Sequence, residues 1–181
     1  MGVTYTLEKH LIDRQYEAEQ AMLKEFEAGS YTIQNPLVKY NLYEISPLSA
    51  VVCFETEEET AVTITVLGKT KQANMSHTFP KAKKHVLPVL GLYSDYANQV
   101  EIRAYRGESN VITIDVPDVY HGKKVIHYMD TTPEYLQDNV ILVSPAGEDL
   151  ASAFDYAGDA RWHMNVACVF DVKRLKNGNL I

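Results

Sequence analysis

The six histidines are the residues of this 181-residue chain whose side chains could bind a metal ion or exchange protons near neutral pH. His121 and His127 are six residues apart and would face the same way only in one continuous strand, which Gly122 between them disfavours. His163 follows the single tryptophan, Trp162, and is the most site-like of the six. A strand that reads "RWH" more often packs than catalyses, so no histidine is assigned a catalytic or metal-binding role.

Sequence motifs for nucleotide, serine-nucleophile or zinc chemistry are absent. The chain contains no G-x-S-x-G, no G-x-x-x-x-G-K-[ST], no G-x-G-x-x-G after a strand and no paired C-x-x-C. The basic run "KAKKH" (Lys81, Lys83 and Lys84) could bind an anion, but it more simply predicts a solvated loop or a lysine-protected sheet edge. The sequence therefore predicts no catalytic residue, no metal site and no cofactor.

Charge and cysteine content limit the partners and the compartment. The net charge of -7 and the pI of about 5.3 argue against nucleic acid or an anionic membrane surface as the main partner. Cys53 lies in the apolar run "SAVVCF" and is predicted to be a buried free thiol rather than a partner of Cys168. The first residues show no basic region followed by an apolar core, so we expect a cytoplasmic protein.

One amphipathic helix is predicted near the start of the chain. The apolar side chains of Leu7, Leu11, Ala18, Met22 and Phe26 recur at helical spacing and form one stripe. Thr6 is the expected N-cap, and Gly29 stands where a left-handed residue would end the helix. The stripe predicts a face that docks onto the same domain, with a dimer contact as the alternative.

After Gly29 the apolar period changes from 3.6 to 2, which is typical of β-strands. "LSAVVCF" and "AVTITVLG" predict strands separated by the acidic turn "ETEEET", and further strands follow to about residue 118. The run "LPVLGLYSDYANQVEIRAY" is similar to the crossover of immunoglobulin-like and fibronectin-type-III sandwiches, with Tyr93 or Tyr96 as the corner tyrosine. These features predict an antiparallel β-sandwich.

The remainder of the chain predicts a connector and then a different β-structure. Thr132 and Pro133 are expected to begin a short helical turn. Gly158-Asp159 and Asn177-Gly178 predict tight turns between short strands, a style typical of β-propeller blades. The predicted organisation is therefore a helix over 1–30, a sandwich over 31–118, a connector over 119–139 and an incomplete propeller blade over 140–181.

Residues 33–181 resemble the N-terminal region of the bacterial, nucleotide-independent arylsulfate sulfotransferases. The resemblance runs through "NPLVKYNLYEISPLSAVVCFETEEETAVTITVLGK", and its most specific part is "PVLGLYSDYANQV", from Pro88 to Val100. It implies a β-sandwich that precedes a six-bladed propeller. It also implies transfer of a sulfuryl group from an aryl sulfate to a phenol through a transiently sulfated histidine.

None of the histidines here matches a catalytic motif of that family. We therefore expect the sulfated histidine downstream of this chain and the fragment alone to be inactive, with a structural or dimerisation role. The expected partners are the rest of its own propeller and, in a homodimer, a second copy of the chain. The alternatives are a stand-alone immunoglobulin-like binding module and, more weakly, a metal-dependent hydrolase that uses His121 and His127.

Overall fold

The computed structural model describes residues 10–105, 107–122, 126–136, 140–143 and 151–165. These residues form one helix and two antiparallel sheets. The helix α1 spans Leu11–Ala28. The strands are β1 (Leu37–Tyr40), β2 (Ser49–Val66), β3 (Met75–Leu90), β4 (Tyr96–Ala104), β5 (Ser109–Val116), β6 (Ile141–Val143), β7 (Ser152–Phe154) and β8 (Ala160–His163). The described part of the chain is therefore mainly β, as predicted.

The larger sheet is organised by the long strand β2. β3 pairs with β2 along one edge, β1 and β4 share the other edge, and β5 pairs with β4. The register between β2 and β3 shifts between Glu55 and Val62, so the paired strands bend there. The sheet curls, and side chains from both halves of β2 meet in one hydrophobic core.

The alternation in β2 explains how one strand contributes to two packing layers. Val52 and Phe54 point into the main core, whereas Val51 and Cys53 belong to a second cluster with the helix. Successive side chains of a strand point to opposite faces, so a strand buried on both sides is apolar at consecutive positions. This is why "SAVVCF" is uninterrupted by polar residues.

Two predicted loops are instead parts of the long strands. The "ETEEET" segment was expected to be a turn, but Glu55 through Thr60 continue β2 across its bend. "KAKKH" lies within β3, so the loop interpretation is wrong and the sheet-edge interpretation is correct. Exposed charge is compatible with a strand whose outer face is solvated, and Glu55 pairs with Lys84 across the two strands.

The helix α1 docks on the sheet through its C-terminal half. Met22 and Phe26 are buried against Val51 and Cys53, which confirms the docking interpretation for this part of the stripe. The predicted N-cap Thr6 is wrong, whereas Gly29 ends the helix as predicted but without the left-handed conformation. His10 is the N-cap, so the helix begins after it, and Gly29 ends the helix in an extended conformation at φ -103° and ψ -179°. Thr6 and Leu7 lie outside the described residues.

The smaller sheet contains β6, β7 and β8 in that order, all antiparallel. Gly158, at φ +82°, makes the predicted turn between β7 and β8, and its amide donates to the carbonyl of Asp155 at 3.0 Å. Thr132 and Pro133 begin a short 3-10 turn over Pro133–Tyr135. The predicted turn at Asn177-Gly178 lies outside the described residues. No helix in the described ranges is long and apolar enough to cross a membrane.

The corner before β4 is held by Asn98. Its Oδ1 accepts from the Tyr93 amide at 2.7 Å, and its Nδ2 donates to the Tyr93 and Tyr96 carbonyls at 3.0 Å each. The side chain is fully buried. The Asn98 side chain therefore satisfies backbone groups of Tyr93 and Tyr96 that have no backbone partner among the described residues, at the point where the chain changes direction.

We expect Asn98→Ala to lower the free energy of unfolding by about 2–4 kcal/mol, because it leaves a buried amide and carbonyls without partners. Chemical denaturation measures the change. Gln99→Ala is the matched control, since Gln99 bonds Thr113 on the exposed side of the same strand. Its effect should stay within about 0.5 kcal/mol. Equal losses in the two variants would contradict the role given to Asn98.

A second prediction concerns His85, which is buried and stacked on Phe54 at 4.9 Å. Burial lowers the pKa of His85 from its ordinary 6.5. The folded chain therefore favours the neutral imidazole of His85. Well above pH 6.5 this imidazole is neutral in both the folded and the unfolded chain, so it does not affect stability. Below that pH the unfolded chain binds a proton that the folded chain resists. Stability then falls as the pH is lowered, by up to about 1.4 kcal/mol per pH unit.

Denaturation curves recorded between pH 7.5 and 5 test this linkage. His85→Gln, which cannot titrate, should reduce the dependence of stability on pH, and the buried His163, whose pKa burial also lowers, should account for part of what remains. If His85→Gln has the same slope as the parent chain, the buried imidazole is not the group that titrates.

Candidate functional site

The most unusual polar cluster in the described residues lies where the two sheets meet, and Arg161 is its centre. Arg161 projects from β8, and its side chain has no exposed surface. Nε donates to the Gly91 carbonyl at 2.8 Å, and Nη1 donates to the Ala73 carbonyl at 2.7 Å. Nη1 also contacts the Tyr93 hydroxyl at 2.9 Å. One side chain of the smaller sheet is thus bonded to three residues in the connections of the larger sheet, because Ala73 precedes β3 and Gly91 and Tyr93 lie between β3 and β4.

Asp155 and Tyr93 complete the cluster, which we call the arginine junction: Arg161, Asp155 and Tyr93. Asp155 Oδ2 lies 3.2 Å from Arg161 Nη1 and accepts from the Tyr93 hydroxyl at 3.2 Å. The guanidinium also lies over the Tyr93 ring, 4.1 Å from its centre. A buried charge needs such compensation, because removing it from water is costly. Arg161 Nη2 is buried with no hydrogen-bond partner among the described residues.

The Tyr93 hydroxyl stays protonated at any physiological pH. Burial, the largest cause, raises its pKa to about 12, although the Lys69 amide and Arg161 oppose the shift. The hydroxyl accepts from the Lys69 amide at 3.2 Å. Tyr93 is thus the buried tyrosine of the corner, but its hydroxyl reaches Lys69 and the smaller sheet rather than backbone a few residues upstream. The ring of Tyr96, the other candidate, stands 5.4 Å from that of Tyr93.

Further contacts surround the junction and join the same two sheets. Lys69 Nζ pairs with Asp159 Oδ1 at 2.7 Å and lies 4.8 Å from the centre of the Tyr93 ring. At the other end of β8, the Asn165 amide donates to the Ile45 carbonyl at 2.8 Å. The smaller sheet is therefore attached at both ends of its last described strand.

His163, the most site-like histidine in the sequence, faces into the smaller sheet. Its Nδ1 lies 3.1 Å from Ser152 Oγ, and its ring meets that of Tyr120 edge-on at 4.9 Å. A serine and a histidine at this distance could form a nucleophile and its base. Both residues are buried, and burial lowers the pKa of His163. The pair therefore packs the sheet and offers no open reaction site.

The other histidines are dispersed. His121 lies in a turn with φ +51°, and both it and His127 are exposed. His77 is exposed on β3, and its ring meets Phe79. Within the described ranges, no three His, Cys, Asp or Glu side chains are close enough together to hold a metal ion. Lys81 and Lys83 are exposed on the outer strand β3 and converge on no common point.

Cys53 is a buried free thiol, as predicted, and its pKa is raised to about 11, chiefly by burial. Cys168 lies outside the described residues.

Sequence reasoning missed Arg161 and Asp155. The run "FDYAGDARWH" indicated only a turn between two strands. In the structure Asp155 supports that turn, because its Oδ1 accepts from the Ala157 and Asp159 amides. Nothing in that pattern indicates that an arginine will be buried in another sheet. The neighbouring Gly91 is one available signal, because at φ +90° it lets the carbonyl approach the guanidinium.

Comparison with known protein families agrees with this geometry. Residues 37–122 match the family described as the arylsulfotransferase Ig-like domain. The matched range begins with β1 and ends after β5, so it contains the larger sheet and the corner that holds Tyr93. No curated protein matches the chain. The match over residues 37–122 therefore supports an arylsulfotransferase N-terminal region in this part of the chain.

Proposed function

We propose that this chain is the N-terminal portion of an aryl sulfotransferase and that its Ig-like domain holds the following β-structure in position. The whole enzyme would move a sulfuryl group from an aryl sulfate to a phenolic acceptor through a transiently sulfated histidine. That histidine would lie beyond residue 181, since the histidines described here are dispersed or buried. The family match over residues 37–122 supports the assignment.

The arginine junction is the observation that carries the structural role. A domain without a structural role could be joined to a catalytic unit by a flexible linker alone. Interfaces between the domains of one chain are ordinarily small and polar. Here a fully buried guanidinium from β8 is bonded to Gly91 and Ala73 of the larger sheet. This geometry suits a rigid mount. Such a mount would hold the entrance of a catalytic unit in a fixed orientation.

The smaller sheet would then be the beginning of the first propeller blade. Its three short antiparallel strands follow one another in sequence, as the strands of a blade do. A blade contains four strands, and the run "VFDVKRL" within residues 166–181 is strand-like in sequence. Additional blades would cover the faces of this sheet.

A homodimer through α1 is the remaining part of the proposal. Ile12 and Tyr16, one turn apart on the helix, are 77% and 63% exposed. Together they extend the apolar surface beyond the docked end of the helix, where a second copy could pack.

The catalytic assignment predicts that the 181-residue chain alone transfers no sulfuryl group from an aryl sulfate to a phenol. The same reading frame extended past Ile181 should encode a protein that does, without a nucleotide donor. Release of the donor phenol, followed spectrophotometrically, measures the transfer. Turnover by the 181-residue chain would place the reacting group within it and overturn the assignment. An extended chain that lacks turnover would contradict the proposed enzyme class.

The mounting role predicts that Arg161→Met loosens the smaller sheet. The substitution keeps most of the side-chain volume but leaves Asp155 as a buried unpaired charge, a loss of about 3–5 kcal/mol. Hydrogen exchange of the amides in residues 151–165 should accelerate far more than exchange in β4 and β5. Arg103→Met is the matched control, because the side chain of Arg103 is 61% exposed and pairs with Glu101 on the same strand. If both variants exchange alike, the junction does not hold the sheet.

A further inference from the structure

A second feature, separate from the arginine junction, is an open groove of about 460 Å³ on the larger sheet. One wall consists of Ile64 on β2 with Met75, His77 and Phe79 on β3, and Pro88 and Leu90 stand near the other end of β3. Leu90 is 55% exposed. The groove thus presents apolar surface to solvent.

The curl of the sheet creates this groove. β3 begins at Met75 and ends at Leu90, yet Met75 Sδ lies only 2.5 Å from the place where a Cβ on Gly91 would stand. The two ends of one strand are therefore brought together, and the space between them is open on the side where no strand pairs with β3 among the described residues. The backbone curvature fixes the shape of the groove before any ligand enters.

The lining favours an aromatic ring. The rings of His77 and Phe79 are 4.6 Å apart at 74°, so they form a corner with one face and one edge available. Aromatic rings prefer such offset and edge contacts. The thioether of Met75 adds a polarisable surface that also favours rings.

The lining also disfavours charged ligands. None of the described side chains that line the groove is an Asp, Glu, Lys or Arg. The Ser76 hydroxyl is already bonded to Thr65 Oγ1 at 2.5 Å. The imidazole of His77, which is exposed on β3, is available to a polar substituent of a ligand. A charged group here would lose water without gaining an opposite charge.

We propose that this groove binds a small uncharged aromatic molecule, with its ring against His77 and Phe79 and one polar substituent beside the imidazole. A protein strand fits less well. Pro88 has no amide hydrogen to donate, and Lys81, Lys83 and Lys84 occupy the middle of the same edge, as expected of an edge protected against pairing. The inference stands on the groove alone and does not depend on the sulfotransferase assignment.

The test uses the full 181-residue chain with carbon-13 in its methionine methyl groups and p-cresol as the probe. The Met75 methyl signal should shift saturably, whereas the signal of Met22, which is buried between α1 and the sheet, should not move. A ligand of this size predicts a dissociation constant on the order of 1 mM. Cyclohexanol and benzoate test the ring and the charge separately, and both should bind more weakly than p-cresol.

Variants of the chain distinguish the groove from general surface binding. Phe79→Ala and Leu90→Ala should each weaken p-cresol binding by about five-fold. Leu90 is half exposed, so its variant should fold even if Phe79→Ala does not. Thr78→Ala is the matched control and should bind normally, since Thr78 faces the opposite side of β3 and pairs with Thr63.

Equal affinity for cyclohexanol or benzoate would overturn the proposal, as would the absence of saturation. A Met75 shift that follows protein concentration instead of ligand concentration would identify the groove as a contact between copies, which also overturns it. Because no sulfuryl transfer is measured, failure here leaves the proposed enzyme class untouched.

Discussion

The pairing of β2 with β3 is the constraint on which the other elements depend. Partners run from Ser49 and Leu90 at one end to Val66 and Met75 at the other. Because the paired strands bend in the middle, each half of β2 offers its second edge to a different strand, β1 or β4. The helix then covers the outer face of one half, and the core fills the space inside the curl. Two flat strands of the same length would enclose neither the main core nor the cluster that lies between the sheet and the helix.

The curl also explains why the junction with the smaller sheet forms where it does. It brings Ala73, before β3, close to Gly91, after β3, so that their carbonyls point toward a common position. These carbonyls lie at strand ends, where the ladder does not use them. A guanidinium has several donors in a fixed plane and suits such a set of acceptors better than an ammonium would. The two backbone carbonyls therefore determine where the guanidinium lies, and the carboxylate of Asp155 is an additional partner.

Much of this architecture could be predicted from the sequence, and the errors have identifiable causes. The period-2 pattern correctly placed Val62, Ile64 and Val66 on the core face. The acidic segment after Phe54 was interpreted as a turn because a run of charged residues often marks a chain reversal. In the structure the segment belongs to a bent strand, which pairs with β3 on both sides of the bend while its outer face is solvated. The start of the helix was misjudged, although its end at Gly29 was correct, because capping preferences are weak and the docked residues Met22 and Phe26 decide the position of α1.

The candidate site was less predictable. The periodic spacing of apolar side chains can be seen in a sequence. The position of a buried ion pair cannot, because it depends on backbone carbonyls that are distant in sequence and close only in the folded chain. Asp155 and Arg161 are six residues apart in the sequence, whereas Gly91 and Arg161 are separated by 70. The resemblance to a family correctly identified the domain over residues 37–122, and it did so without indicating the junction.

The buried thiol of Cys53 gives the fold an internal sensor of helix undocking. Its Sγ lies 3.8 Å from Met22 Sδ beneath α1, and with a pKa near 11 it is almost wholly protonated in the closed state. Alkylating reagents attack the thiolate, so labelling of Cys53 has to wait for α1 to lift. The rate of that labelling would therefore follow the opening equilibrium of the helix alone, independently of the stability of the strands below it.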